Sequence, residues 1–201
     1  MSMSIQTAYR FYVEKKFIVN RKYQRKLVWT IKEKQSLIDS ILCAYPIPLI
    51  LLAELKNTDG TEPYEIIDGM QRLHAIFGFI ENRYSVKGKF FDVSQFTRAQ
   101  QTASEGHFTL VTDNLLDSKI CADFLDYELA VTIYLARKES EVVEIFGRIN
   151  SSGRQLSSQE KRQAGIINPF SELIRSLGAE LRGDVSGDTL ELNLMPSIMG
   201  R

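Results

Sequence analysis

The stretch EIIDGMQRLHAIFGFI, residues Glu65–Ile80, constrains the fold most because it joins two different apolar patterns through a polar turn. A short apolar run ends at Asp68-Gly69, and apolar residues then recur at helical spacing from Leu73 onward. Together the patterns predict a strand, a tight loop and a helix that begins near Gln71. Helix N-termini favour anions, so the loop is either an anion-binding site or an ordinary capped turn.

Three residues of this loop suit a phosphate ligand, and each also has an ordinary structural explanation. Gly69 would let the backbone approach a ligand closely, and Arg72 offers a planar fork for phosphate oxygens. Asp68 suits a phosphate site only if it holds Mg²⁺ or orients a water molecule. In the alternative, Asp68 caps the helix and Arg72 is a solvated residue of the first turn. The segment alone leaves both interpretations open.

The segment YQRKLVW is a second candidate for ligand binding. Arg25 and the neighbouring basic residues could contact phosphates, while Tyr23 and Trp29 could stack on a base. The alternative is a basic surface strand whose two aromatic residues belong to the core.

The segment FGRINSSGRQLSSQEKR is a third candidate, predicted as a polar loop between two helices. The first helix would end near Arg148, and Asn150, two serines, Gly153 and Arg154 would form the loop. The alternative is a connection between helices that binds nothing.

Elsewhere the chain alternates between helix and strand patterns. Thr30 and Glu33 form a capping box at the start of a helix, which Pro46 and Pro48 would stop. Short apolar strands precede and follow this region, whereas residues 84–125 give no clear pattern. We therefore predict an α+β fold with a small mixed sheet flanked by helices, rather than a doubly wound sheet.

Composition and residue inventory exclude several classes of function. The formal net charge is zero, so a nucleic-acid partner would need a local basic patch. Cys43 and Cys121 are predicted to be buried, reduced thiols. There is no zinc-ligand spacing, P-loop or dinucleotide fingerprint, and His74 is predicted to be structural. No segment has the length and apolarity of a membrane span, and no signal peptide is evident, which predicts a cytoplasmic protein.

In this order, YQRKLVW, IIDGMQRL and FGRINSSGRQLSSQEKR resemble the ParB/sulfiredoxin-like family called domain of unknown function 262. Its members include the S-component of the GmrSD restriction system and the defence protein SspE. The resemblance covers roughly Phe17 to Gln163 and implies a ParB/sulfiredoxin-like domain over residues 1–182, followed by a C-terminal extension over 183–201. The residues that match the family's three motifs are Tyr23, Gln24, Arg25 and Trp29; Asp68, Gly69, Gln71 and Arg72; and Asn150, Ser152, Gly153 and Arg154.

The resemblance implies that the chain binds or hydrolyses a nucleoside triphosphate and thereby regulates a nuclease supplied elsewhere. Asp68 and Gln71 would be catalytic, Asp68 would hold Mg²⁺, and the other matched residues would bind nucleotide or phosphate. Met70 replaces the family's first glutamine, which makes hydrolysis less expected than binding. The alternatives are a ParB-like module that binds or nicks DNA through the basic segment 20–26, and an interaction domain without chemistry.

Overall fold

The computed structural model describes residues 1–21, 27–55, 63–136, 138–152 and 189–192. Helices and strands are interspersed along these ranges, together with a 3₁₀ turn at Val93–Gln95. In chain order the elements are β1 (Ser2–Ser4), α1 (Ile5–Val13), β2 (Phe17–Asn20), α2 (Ile31–Leu42), β3 (Ile50–Leu55), β4 (Tyr64–Asp68), α3 (Met70–Ile80), α4 (Thr97–Ser104), α5 (Ser118–Asp126), β5 (Glu128–Ala136), α6 (Glu139–Ser152) and β6 (Thr189–Glu191).

The strands form one mixed sheet in the order β1-β5-β3-β4-β2-β6. β3 pairs with β5 and β2 with β4 in parallel, whereas the β1–β5, β3–β4 and β2–β6 pairs are antiparallel. Helices flank this sheet, so the predicted α+β class with a small mixed sheet is confirmed. None of the helices in the described ranges has the length and apolarity that crossing a bilayer requires.

The two faces of the sheet bury different side chains because residues alternate along each strand. Ile50, Leu52 and Ile66 face the larger core, which also contains the apolar faces of α1, α2, α3 and α5. Leu51 and Ile67 face a smaller second core, which is closed by α6. The sheet is therefore covered by helices on both sides, and β4 contributes to both cores.

The predicted capping box opens α2. The Thr30 hydroxyl accepts from the Glu33 amide at 3.3 Å, and the Glu33 carboxylate accepts from the Thr30 amide at 2.7 Å. The helix ends at Leu42, ahead of the two prolines. Cys43 caps that end and is exposed, whereas Cys121 is buried. The prediction of two buried thiols was therefore wrong for Cys43, because a helix-terminal position lies at the surface.

Helix α6 extends further than the sequence predicted. It runs to Ser152, so Asn150 and Ser152 belong to its last turn and not to a loop. Val142, Ile145 and Phe146 pack against the sheet and anchor the helix, which continues one further turn past Arg148. Gly153 and Arg154, together with the helix predicted after them, lie outside the described residues.

Strand β6 comes from the range that the sequence assigns to a C-terminal extension. It pairs with β2 at the outer edge of the sheet, with Val19 opposite Leu190. Leu192, the next residue after the strand, is buried in the larger core. Residues 189–192 thus complete the sheet of the domain.

Candidate functional site

The candidate site is the turn where β4 passes into α3. The pairing of β4 with β3 shifts register there, since Leu51 opposes Asp68 whereas Leu52 opposes Ile66. An irregularity of this kind re-aims the side chains that follow it. Gly69 is the N-cap of α3 and has φ 103°, a conformation that L side chains rarely adopt. The strand, the tight loop and the helix predicted from the sequence are all present.

An ion pair spans this turn. The guanidinium Nη2 of Arg72 donates to the Asp68 carboxylate at 2.8 Å and to the Leu49 carbonyl at 3.0 Å. The other Asp68 oxygen accepts from the Gly69 amide at 2.8 Å. The Asp68 side chain is 51% exposed, but that of Arg72 is only 14% exposed. The expectation of a capping aspartate and a solvated arginine is therefore wrong, because Gly69 occupies the cap position and Arg72 is tucked against the entry to β3.

The position of Arg72 in the helix explains why it needs an anionic neighbour. A cation in the first turn of a helix is opposed by the helix dipole, and Asp68 offsets this repulsion from the preceding strand. The Nε atom of Arg72 is buried and finds no acceptor among the described residues. One donor of a largely buried guanidinium is thus left unsatisfied beside the N-terminus of α3.

Gln71 connects this turn to the first candidate segment. Its side-chain oxygen accepts from the backbone amides of Val28 and Trp29, at 3.2 Å and 3.3 Å. Two segments that are more than forty residues apart in the chain therefore meet at the start of α3. The Trp29 ring is partly buried and packs against the larger core.

Met70 belongs to the core and not to the site surface. Its side chain is 5% exposed and packs in the larger core. A glutamine at this position would have to be buried or would have to rotate out of its place. The family's glutamine would therefore need a different side-chain orientation from that of Met70, and the effect of Met70 on hydrolysis stays a prediction.

The remaining predicted residues fall into two groups. Tyr23, Gln24, Arg25, Gly153 and Arg154 lie outside the described residues. Asn150 and Ser152 are on α6, whose Val142 packs in the same small core as Ile67, the residue before Asp68. A cleft shared by all three segments stays a prediction, as does DNA binding by segment 20–26.

Asp68 is the carboxylate through which the site could hold a metal ion. Within the described ranges, no group of three or more His, Cys, Asp or Glu side chains could do so. Mg²⁺ commonly uses one or two carboxylates together with substrate phosphates and waters. The half-exposed Asp68 therefore fits Mg²⁺ only as part of a metal–phosphate complex.

No pattern in the sequence indicates the roles of Leu49 and Val28, which act through backbone groups. Both side chains are largely exposed, as is that of Ile31 at the start of α2. Their backbone bonds to Arg72 and Gln71 place the first two beside the turn. Two exposed apolar residues, Val28 and Leu49, thus meet the start of α3 through their backbone groups.

His74 lies one turn beyond Gln71, where it is partly buried. Burial, Lys34 and Arg83 together lower the pKa of its imidazole to about 4. Its Nδ1 atom is buried and has no hydrogen-bond partner in the described part of the chain. These surroundings keep the imidazole neutral near pH 7, as expected of a structural histidine.

The pKa of His74 predicts that the protein loses stability as the pH falls from about 6.5 to about 4. In that window the unfolded chain binds a proton at this imidazole and the folded chain does not. The loss should be about 2 kcal/mol, a value reduced for partial exposure. Urea titrations of wild type and His74→Gln at several pH values measure it.

The His74→Gln protein should show the flatter pH profile. Glu81, whose pKa is raised by burial, favours the folded state as pH falls, but it is present in both proteins and cancels in their difference. His107→Gln is the matched control, since that imidazole is 65% exposed. Parallel profiles for wild type and His74→Gln would contradict the assignment.

The fold and site define a class: an α+β domain in which a strand ending in an aspartate passes through a left-handed glycine into a helix whose first turn carries an arginine. Residues 9–167 match the family model for the N-terminal domain of the GmrSD restriction endonuclease. The match covers most of the chain, so this protein belongs to that family, and the resemblance drawn from its motifs is confirmed. The comparison with curated proteins gives no match.

Proposed function

We propose that this domain binds a nucleoside triphosphate at the turn between β4 and α3 and regulates DNA cleavage by a nuclease within a restriction system. The observation that carries the proposal is the buried Nε of Arg72, which has no acceptor among the described residues, beside a helix N-terminus whose cap residue, Gly69, has no side chain. Such a helix end favours anions, and a guanidinium is well matched to phosphate oxygens.

The surroundings favour a nucleotide over a bare anion. Val28 and Leu49 are exposed apolar residues whose backbone groups contact Gln71 and Arg72, so their side chains would form an apolar rim beside the turn. Ligand sites commonly combine an apolar lining with a few polar groups that fix orientation. A base could lie against this rim while the phosphates face Arg72.

Asp68 would serve hydrolysis in two ways. It holds Arg72 in place, and with a phosphate present its half-exposed carboxylate is the group that would bind Mg²⁺. Bound Mg²⁺ would neutralise phosphate charge, which is a main requirement of phosphoryl transfer. The nuclease partner follows from the family, whose name describes a restriction endonuclease.

Phosphate release in the presence of Mg²⁺, measured with ATP, GTP, CTP and UTP, tests this proposal for wild type and Asp68→Asn. We expect turnover of the variant to fall at least 100-fold, about 2.7 kcal/mol, while nucleotide affinity changes only a few-fold. Without Mg²⁺, Asp68→Asn should bind nucleotide more tightly, because Arg72 loses its internal counter-ion.

Asp39→Asn is the matched control. Asp39 forms an ion pair with Lys87, with 2.6 Å between the two charged atoms, and this pair is not part of the turn between β4 and α3. Its turnover and affinity should equal those of wild type. Nucleotide binding without phosphate release would reduce the function to a nucleotide-gated regulator. If calorimetry detects no binding of any of the four nucleotides, the proposal fails.

A further inference from the structure

The side chain of Gln71 forms hydrogen bonds with the backbone of another segment. Its oxygen accepts from two successive amides, those of Val28 and Trp29, at 3.2 Å and 3.3 Å. Gln71 is the second residue of α3, so these bonds attach the 28–29 segment directly to the helix end that carries Arg72. A side-chain oxygen with two donors is poorly placed to orient a water molecule as well.

The segment begins after Leu27, which forms an isolated β-bridge, and the Gln71 oxygen joins its next two amides to α3. Residues 28–30 have no regular secondary structure, and α2 begins only at Ile31. The Val28 side chain is exposed, so packing alone does not fix its backbone. Leu27 is buried in the core and Trp29 is partly buried, so packing restricts the positions of the residues on either side of Val28. The Gln71 oxygen supplies the hydrogen bonds that set its position beside the turn.

We propose that Gln71 is a positioning residue that fixes Val28 and Trp29 beside the Asp68–Arg72 turn and thereby makes the site selective for a nucleoside triphosphate over inorganic triphosphate. The inference rests on the proposed function, which it refines. The phosphate subsite, at Arg72 and the N-terminus of α3, does not depend on the 28–29 segment. The subsite for the base does, because Val28 forms part of its apolar rim.

Two substitutions separate positioning from a chemical role. Gln71→Glu keeps an oxygen that can accept from both amides but removes the side-chain amide donors. Gln71→Met keeps the length and removes the acceptor. If Gln71 acts by accepting, the glutamate variant resembles wild type and the methionine variant does not. If Gln71 acts as a donor to water or phosphate, both variants are impaired.

The decisive measurement is the ratio of affinities for a nucleoside triphosphate and for inorganic triphosphate, obtained by calorimetry for each protein. The added charge of Gln71→Glu weakens both ligands and cancels in the ratio. We expect Gln71→Met to lower the ratio about 10-fold, the scale of one lost hydrogen-bonded contact, and Gln71→Glu to preserve it. Trp29 is the sole tryptophan, so its fluorescence reports directly on the segment in the same titrations.

Amide hydrogen exchange provides the readout that does not need a ligand. Exchange at Val28 and Trp29 should accelerate in Gln71→Met and stay slow in Gln71→Glu. An unchanged affinity ratio in Gln71→Met, in a protein that binds nucleotide, would overturn the inference and leave the proposed function intact. If wild type binds nothing, the proposed function and the selectivity both fail, and the exchange data alone decide whether Gln71 positions the segment.

Discussion

Replacing Gly69 with alanine should lower the free energy of unfolding by about 3 kcal/mol and abolish measurable nucleotide binding. A Cβ at this position would lie 2.5 Å from Cδ1 of Ile50 and 3.3 Å from its Cγ2. The φ of 103° is also unfavourable for any L side chain. Relief of either strain would move the N-terminus of α3 away from β3, and Arg72 would move with it. Chemical denaturation and calorimetry measure the two effects.

Gly88→Ala is the control that separates the two sources of strain. Gly88 has φ 75°, and nothing lies within 4 Å of the site of its Cβ. Its replacement should therefore cost about 1 kcal/mol, for backbone conformation alone. The double variant Ile50→Val, Gly69→Ala removes the nearest clashing atom and should recover part of the loss. Equal losses for Gly69→Ala and Gly88→Ala would show that the close approach to Ile50 is unimportant.

Replacing Arg72 with alanine should weaken nucleotide binding by about 1.5–3 kcal/mol and destabilise the fold by about 2 kcal/mol. The side chain is 14% exposed and bonds both Asp68 and the Leu49 carbonyl, so its loss releases the entry to β3 from α3. A solvated arginine of the first turn, the alternative that the sequence left open, would carry no such cost in folding. Calorimetry and urea denaturation separate the two losses.

Arg148→Ala is the control for Arg72→Ala. It removes the same kind of ion pair, but from an exposed arginine. Arg148 pairs with Glu144 at the same i,i+4 spacing and at 2.7 Å, yet its side chain is 79% exposed. We expect a change of at most about 0.5 kcal/mol in stability, as for other exposed ion pairs. A comparable loss in both variants would mean that burial of Arg72 contributes nothing. Unchanged affinity in Arg72→Ala would remove Arg72 from the binding site.

The sequence was sufficient wherever local chemistry determines the structure. The Thr30–Glu33 box and the Asp68-Gly69 break depend on residues a few positions apart, and both elements occur as predicted. Interspersed strand and helix patterns were enough for the fold class. Helix α1 was missed, although Ser4 caps it and its buried residues Ile5, Ala8 and Tyr9 follow helical spacing.

The site itself depends on contacts that no local pattern encodes. The Arg72–Leu49 and Gln71–Val28 bonds join segments distant in the chain, and one partner in each is a backbone group. The Met70 side chain points into the core because of where α3 starts and how the helix packs. Both depend on tertiary structure. The motifs therefore pointed to the turn between β4 and α3 as a candidate site, whereas the contacts within that turn could be described only from the structure.

The β2–β6 pair has a consequence for the order in which the domain can form during synthesis. Phe17–Asn20 leave the ribosome early, but their partner Thr189–Glu191 follows about 170 residues later. At typical translation rates the outer edge of β2 stays open for about 10–30 s. An unpaired strand edge is a template for intermolecular pairing. The nascent chain therefore passes through an aggregation-prone interval that ends only when Leu192 can enter the core.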